Sequence, residues 1–291
     1  MDKLQKVRLK KLADLIIQYH KLSFVIANIG CRPNDGDAPE PFEIVLEYFP
    51  GSEIIGFELD KELCKKLNKE PRKGFKFFYQ ALGYKNERRK LYNTTSPACS
   101  SFYEPNKKFL EKYQQLETMY LENISEIDTV SLDHFCFENK IEKIDFIKID
   151  IQGAELDVFK GAKNTLKNTL CIISEVEFVP FYINQPLFGD VHNFLIGEDF
   201  MLVKFLGFGS RYMKPTLVDQ KHWGQHSQHL WADVFFSRNI ESIKQLDDEK
   251  ILKLSFLAFL HYNPDITIFF LSEYDLRNGT NLKGSFLDNI N

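Results

Sequence analysis

The chain has 291 residues, 44% of them hydrophobic and 27% charged, with a formal net charge of −4. That balance excludes intrinsic disorder and supplies enough apolar material for a large core without disulfide staples. No basic stripe interleaves with aromatics, which excludes nucleic acid as an expected partner, and no apolar run reaches the roughly 18 residues of a membrane-spanning helix.

The first twenty residues, "MDKLQKVRLKKLADLIIQYH", carry charges throughout and have no apolar h-region, so they do not read as a signal peptide. Leu4, Val7, Leu12, Leu15 and Ile16 recur at helical spacing and predict an amphipathic helix over 1–22 that packs on the domain. "SFVIAN" (23–28) is the first short apolar run, followed by a helical pattern at 39–49 with Phe42, Val45, Leu46 and Phe49 on one face. "SEIIGFE" (52–58) and the helix 60–69 repeat the alternation, and "FKFFYQA" (75–81) is the third run. "RRKLYN" (88–93) predicts a short added strand. Residues 94–128 read as irregular, with helix at 106–120. A helix over 130–140 opens on Ser131 as its cap. "KIDFIKID" (143–150) is the fourth run, followed by a helix at 154–166 that turns Leu156, Phe159 and Ala162 to the core. "LCIISEV" (170–176), a helix at 188–196, and the runs 200–206 and 231–237 complete the pattern.

Alternating β and α segments predict a parallel sheet covered on both faces, because a right-handed crossover needs a helix between parallel strands. The last two runs have no crossover helix between them, so the final strand should be antiparallel. The chain divides into an N-terminal helix (1–22), a central domain (23–240) and a C-terminal helical extension (241–291) with Leu252, Phe256 and Phe259 on an apolar face. The five cysteines are odd in number, widely spaced and without a C-x-x-C pair, which points to a reducing compartment; a cytoplasmic location is expected.

Ligands of such sheets bind at the carboxyl ends of the strands, where strand order reverses. Gly30 follows the first strand and lets a ligand approach the backbone closely. Glu58 ends the second strand, where a carboxylate can accept from both hydroxyls of a ribose; a solvated strand end is the competing reading. Gln80 offers an amide to an adenine edge, with Ala81 and Leu82 available to pack on its face, or it only caps the strand. The fourth strand runs into "DIQGAE" (150–155), which is either a surface turn or a site of chemistry.

"IDFIKIDIQGAELDVFKGA" (144–162) resembles the signature of the FkbM-type S-adenosylmethionine-dependent methyltransferases. "IIGFELD" (54–60), "ALG" (81–83), "PACSSFYEPN" (97–106), "TVSLD" (129–133), "EVEFVPFYINQPLFGDVHNFL" (175–195) and "QHLWADVFF" (228–236) follow in that family's order. The resemblance implies an α/β class I methyltransferase fold of Rossmann-like type, with seven strands and the last antiparallel. It also implies S-adenosylmethionine as cofactor and O-methylation of a sugar, glycan or natural-product hydroxyl. The chain departs from the pattern at Asn28, where such enzymes carry an acid; an amide can accept from the cofactor but has no charge to pair with its ammonium.

A hydroxyl nucleophile needs its proton taken by a carboxylate or histidine within hydrogen-bond reach. Asp150 is the first candidate, as base or as partner of the methionine ammonium, and Glu175 the next. Asn28, Gly30, Glu58, Gln80, Ala81, Ser101 and Asp150 are expected at the cofactor, and Glu177, Tyr182, His222 and His226 at the acceptor. Glu155 opens a helix, where its charge suits the macrodipole. The histidines of "KHWGQHSQH" (221–229) surround a glycine and precede a strand, so they read as a loop at the site mouth and no metal is expected. The partners expected are a small-molecule, glycan or peptide acceptor, with no stable membrane insertion and a homodimer left open. Two other functions compete: N-methylation of a peptide side-chain amide, and non-catalytic binding on a methyltransferase scaffold.

Overall fold

The computed structural model describes residues 1–32, 38–69, 72–216 and 228–290. Among the described residues ten strands are formed: β1 (Val25–Ile29), β2 (Glu53–Glu58), β3 (Phe75–Tyr79), β4 (Ala81–Gly83), β5 (Glu87–Thr94), β6 (Leu121–Ser131), β7 (Phe146–Ile149), β8 (Cys171–Glu177), β9 (Phe200–Gly209) and β10 (Trp231–Arg238). Seven of them make the main sheet in the order β3-β2-β1-β7-β8-β10-β9. β1 pairs in parallel with both β2 and β7, and β7 with β8, while β10 is antiparallel to β8 and β9. The expected antiparallel final strand is therefore present, inserted between β8 and β9. Strand order reverses at β1/β7: the chain leaves β1 toward β2 and β3, then returns to the other side of β1. A ligand crevice opens at such a point.

The sheet is covered on both faces. One face packs Phe24, Ile26, Ile54 and Phe146 against Leu9, Leu12 and Ile16 of the N-terminal helix Lys3–Ile17 and against Leu252, Phe256 and Phe259 of Asp248–Leu260. The other packs Ile147, Ile149 and Val234 against Leu132, Phe159 and Leu195 from the helices Leu132–Glu138, Glu155–Lys160 and Phe188–Gly197. The tail continues through two further helices, Pro264–Asn278 and Leu282–Ile290. A charge cluster secures it: Lys253, fully buried, holds Asp145 Oδ1 at 2.9 Å and Glu249 Oε1 at 2.8 Å. Asp145 Oδ2 in turn accepts from Val25 N at 2.8 Å, so the same carboxylate fixes the start of β1. Asp145 is thus a buried structural partner.

Several local expectations change. In the N-terminal helix Leu4 and Val7 are exposed, because the buried stripe is Gln5, Leu9, Leu12, Ala13 and Ile16, on a period of 3.6. The 39–49 helix is reduced to two short turns, Pro41–Ile44 and Val45–Tyr48, though Phe42, Val45 and Phe49 are buried as expected. The 154–166 helix breaks at Gly161, where a Cβ would lie 2.4 Å from the Gly83 carbonyl oxygen: the backbone packs too closely there for a side chain. Residues 121–131, of which 121–128 were expected to be irregular and 130–131 to open a helix, form an eleven-residue strand antiparallel to β5 and parallel to β4, in a separate three-stranded sheet. The 106–120 helix is limited to Lys107–Leu110 and a 3-10 turn at Glu117–Met119. Ser131 caps its helix as expected, accepting from His134 N at 3.2 Å.

Candidate active site

A cavity of about 630 Å³ lies along the carboxyl ends of β2, β1, β7 and β8 and continues to the start of β10, within the ~300–1,000 Å³ usual for ligand sites. Gly30, Glu58, Gln80, Ala81, Ser101, Asp150, Glu175 and Glu177 all line it. The fold thus brings together residues spread over more than 140 positions of sequence.

Gly30 closes β1 with φ +79°, a left-handed conformation open to glycine. A Cβ there would sit 2.0 Å from the Asp150 carbonyl oxygen. Asp150 N donates to Ile29 O at 3.0 Å, so the ends of β1 and β7 are tied directly beneath the cavity. On the next strand Glu58 is 5% exposed. One of its oxygens accepts from Asp60 N at 2.8 Å and lies 3.7 Å from Arg32 Nη1, which leaves the second oxygen for a ligand hydroxyl. Gln80 turns its amide N–H onto the Ala81 carbonyl at 3.0 Å.

At the switch point stands a hydrogen-bonded group of acids. Gln152 Nε2 donates to Asp150 Oδ1 and to Glu175 Oε2, each at 2.8 Å. Both amide hydrogens are spent on carboxylates, which fixes the orientation of the group. Gln152 itself has φ +60°, uncommon for a residue with a side chain, and its carbonyl accepts from Ser101 Oγ at 2.6 Å. Asp150 keeps 32% of its side chain accessible, through the cavity, and pairs with Lys148 Nζ at 3.2 Å. Burial alone would raise its pKa; the Lys148 charge and the hydrogen bonds from Glu175 and Gln152 outweigh it and hold Asp150 below the ordinary carboxylate range. Glu175 is driven the other way, well above that range, by burial and then by the charges of Asp150 and Glu177. The two acids are thus pushed apart, Asp150 toward its charged form and Glu175 toward its neutral form. Glu177 is also raised, by burial and by Glu155 and Asp150. Glu155, beneath the turn, accepts from Ile151 N at 2.8 Å, and burial pushes its pKa up to about 8.

Two expected site residues lie elsewhere. Asn28 does not line the cavity. It sits one residue short of the end of β1, in register with Gly56 and Lys148, and its Oδ1 is buried without a partner among the described residues. Tyr182 is fully buried behind the wall, its hydroxyl donating to the Cys99 carbonyl at 2.7 Å. Packing in a small aromatic cluster, not contact with a ligand, accounts for it. His222 and His226 fall outside the described residues. His192 stacks near Phe188 and does not line the cavity. The sequence reading missed Gln152 as the bridge, though it lies within "DIQGAE". It also missed Arg32, Met119 and Arg211, which line the cavity without a motif to mark them, and the place of Trp231 in the wall, although that residue lies within "QHLWADVFF".

The Methyltransferase FkbM domain model matches residues 25–208. The 2-O-methyltransferase NoeI of Sinorhizobium fredii (strain NBRC 101917 / NGR234) is 30% identical over 170 residues, an alignment that spans 55% of this chain and 66% of that protein, just under two thirds of its length. The crystal structure of methyltransferase FkbM from Methylobacillus flagellatus KT superposes with a TM-score of 0.39 at 12% identity, over 76% of this chain and 45% of that one. Magnesium protoporphyrin IX methyltransferase (ChlM) from Synechocystis PCC 6803, solved with bound SAM, gives 0.35 at 9% identity, over 81% of this chain and 79% of that one. With its family model covering more than half of the sequence, the chain belongs to the FkbM methyltransferase family.

Proposed function

We propose that the protein is an S-adenosylmethionine-dependent methyltransferase acting on a hydroxyl of a sugar, glycan or natural-product acceptor. The observation that carries this reading is one continuous cavity that runs from a ribose-type acid, Glu58, past the Gly30 turn to Asp150 and Glu175, whose pKa values are pushed in opposite directions. The name of the relative NoeI, a 2-O-methyltransferase, supports the choice of a hydroxyl.

The residues present fit the cofactor. Gly30 leaves open a cradle that a Cβ would fill. Glu58 would accept from the ribose, Gln80, Ala81 and Leu82 would flank the adenine, and the ionised Asp150 would face the methionine ammonium. When bound, S-adenosylmethionine supplies an electrophilic methyl group on a sulfonium. The protein's own tasks are alignment and proton removal, and alignment alone can account for much of the acceleration. Glu175 is the base: a carboxylate whose pKa is pushed up is the stronger base once ionised, and Glu175 Oε can take the acceptor's hydroxyl proton. Gln152 holds that carboxylate in place, and Ser101 holds Gln152.

The test is transfer of label from methyl-tritiated S-adenosylmethionine to a panel of glycans and hydroxylated natural products. Label recovered as an O-methyl ether supports the proposal. With amide-bearing peptides included in the same panel, label recovered on amide nitrogen instead, or none above a Glu175→Gln control, contradicts it.

A further inference from the structure

The acids in the cavity are numerous and its cations few, and the two arginines in its wall are differently placed. Arg32 is occupied, lying 3.7 Å from Glu58 and 3.3 Å from Asp60. Arg211 is not. Among the described residues it meets no carboxylate; its hydrogen bond is from Nη1 to the neighbouring Ser210 carbonyl at 2.8 Å, and its Nε is buried without a partner. The guanidinium lies 4.9 Å over the ring of Trp231, which holds its plane. That ring in turn lies over Gly209, its cross-strand neighbour, where a Cβ would come within 1.8 Å of it. A glycine, a tryptophan and an arginine are thus stacked at one end of the cavity, with the arginine's Nε left unsatisfied among the described residues.

Sheet order places this stack. Arg211 follows β9 and Trp231 opens β10, on the far side of β8 from the Gly30 turn. At ~4.8 Å per strand, β10 and β9 lie roughly 10 and 14 Å from β7, where Asp150 stands. The cofactor positions Glu58, Gly30 and Asp150 belong to β2, β1 and β7. Arg211 therefore stands at the acceptor end, beyond Glu175 and Glu177.

We propose that Arg211 is an anion subsite for the acceptor: the hydroxyl to be methylated belongs to a molecule that also carries an oxyanion, a carboxylate, sulfate or phosphate. A planar guanidinium suits each of these, because its parallel N–H groups match two oxygens of one group. An acidic cavity whose far end holds a cation uncommitted among the described residues also orients such an acceptor, anion toward Arg211 and neutral hydroxyl toward Glu175. This inference rests on the division of the cavity into cofactor and acceptor halves.

The test uses full-length protein saturated with S-adenosylhomocysteine, carrying Trp223→Phe so that Trp231 is the sole tryptophan reporter. Glucuronate, inorganic sulfate, inorganic phosphate and neutral glucose are titrated against Trp231 fluorescence. At least one of the three anions should bind about tenfold tighter than glucose. Arg211→Gln should abolish that preference, Arg211→Lys should restore part of it, and S-adenosylhomocysteine affinity should be unchanged in both variants. An equal or absent response to all four probes overturns the proposal. So does a loss of S-adenosylhomocysteine affinity in Arg211→Gln, which would assign the arginine to the cofactor's carboxylate. Failure of the parent protein to bind S-adenosylhomocysteine would instead strike the cofactor reading beneath it.

Discussion

At the scale of single residues, Asp150 and Glu175 illustrate how neighbours divide one chemistry between two like groups. Lys148 and two hydrogen bonds keep Asp150 ionised, and the charge so fixed helps to keep Glu175 protonated. The division is testable by isosteric change. Glu175→Gln should lower turnover by about 10²–10⁴ and remove the rise of rate with pH that follows its ionisation, with cofactor affinity little changed. Asp150→Asn should weaken the cofactor first, with turnover partly recovered at saturation. A pH–rate profile for each variant beside calorimetric affinities checks both, and identical profiles would contradict the assignment. Gly30, Glu58 and Asp150 were legible in the sequence because each ends a strand, and strand ends on the ligand edge follow from the alternation of runs. Arg211 was not, and Trp231 appeared only as part of "QHLWADVFF", since the proposed acceptor end is built where the chain leaves β9 and β10 begins, with no spacing rule behind it. Tyr182 was misread because an aromatic in a family-like stretch can serve the wall as well as the cavity.

Among the elements, the terminal helices are bound into the main core. Lys253 reaches from the helix Asp248–Leu260 to Asp145, and Asp145 reaches on to the first residue of β1. Removing one partner of a buried ion pair leaves the other charged and unsatisfied, which costs about 3–5 kcal/mol. Lys253→Met should therefore lower unfolding stability by that order in urea titrations, and Lys253→Met with Asp145→Asn should recover part of it. A loss within 0.5 kcal/mol would show the cluster to be incidental. The main-sheet strands were legible since their runs are short, apolar and β-branched. β6 was not: "LENISEIDTVS" is exposed over most of its length, so no alternation of apolar residues betrays it. The end of the helix at Gly161 was hidden too, because it depends on contact with Gly83, far away in sequence.

For the whole molecule, the buried acids couple folding to pH. Glu155 has its pKa raised from the ordinary 4.5 to about 8, chiefly by burial. The neutral form is the one the fold accepts. Its stabilising contribution is complete below the unfolded value and is lost as pH rises through about 8. Glu175 and Glu177 act in the same direction. The melting temperature should therefore fall as pH rises from about 4.5 to about 8, by roughly 2–4 °C per kcal/mol in a chain of this size. Glu155→Gln keeps an acceptor for Ile151 N and should flatten that fall; an unchanged slope in differential scanning fluorimetry would remove Glu155 from the account.

The central claim is that the cavity at the β1/β7 reversal holds S-adenosylmethionine with Glu58 on its ribose. Calorimetric titration of S-adenosylhomocysteine into the wild-type protein and Glu58→Ala tests it most directly. Saturable one-to-one binding to the wild type is predicted, weakened by about 1.5–3 kcal/mol in the variant, the value of hydrogen bonds to a charged group. Absence of binding to the wild type, or equal affinity for both proteins, would contradict it.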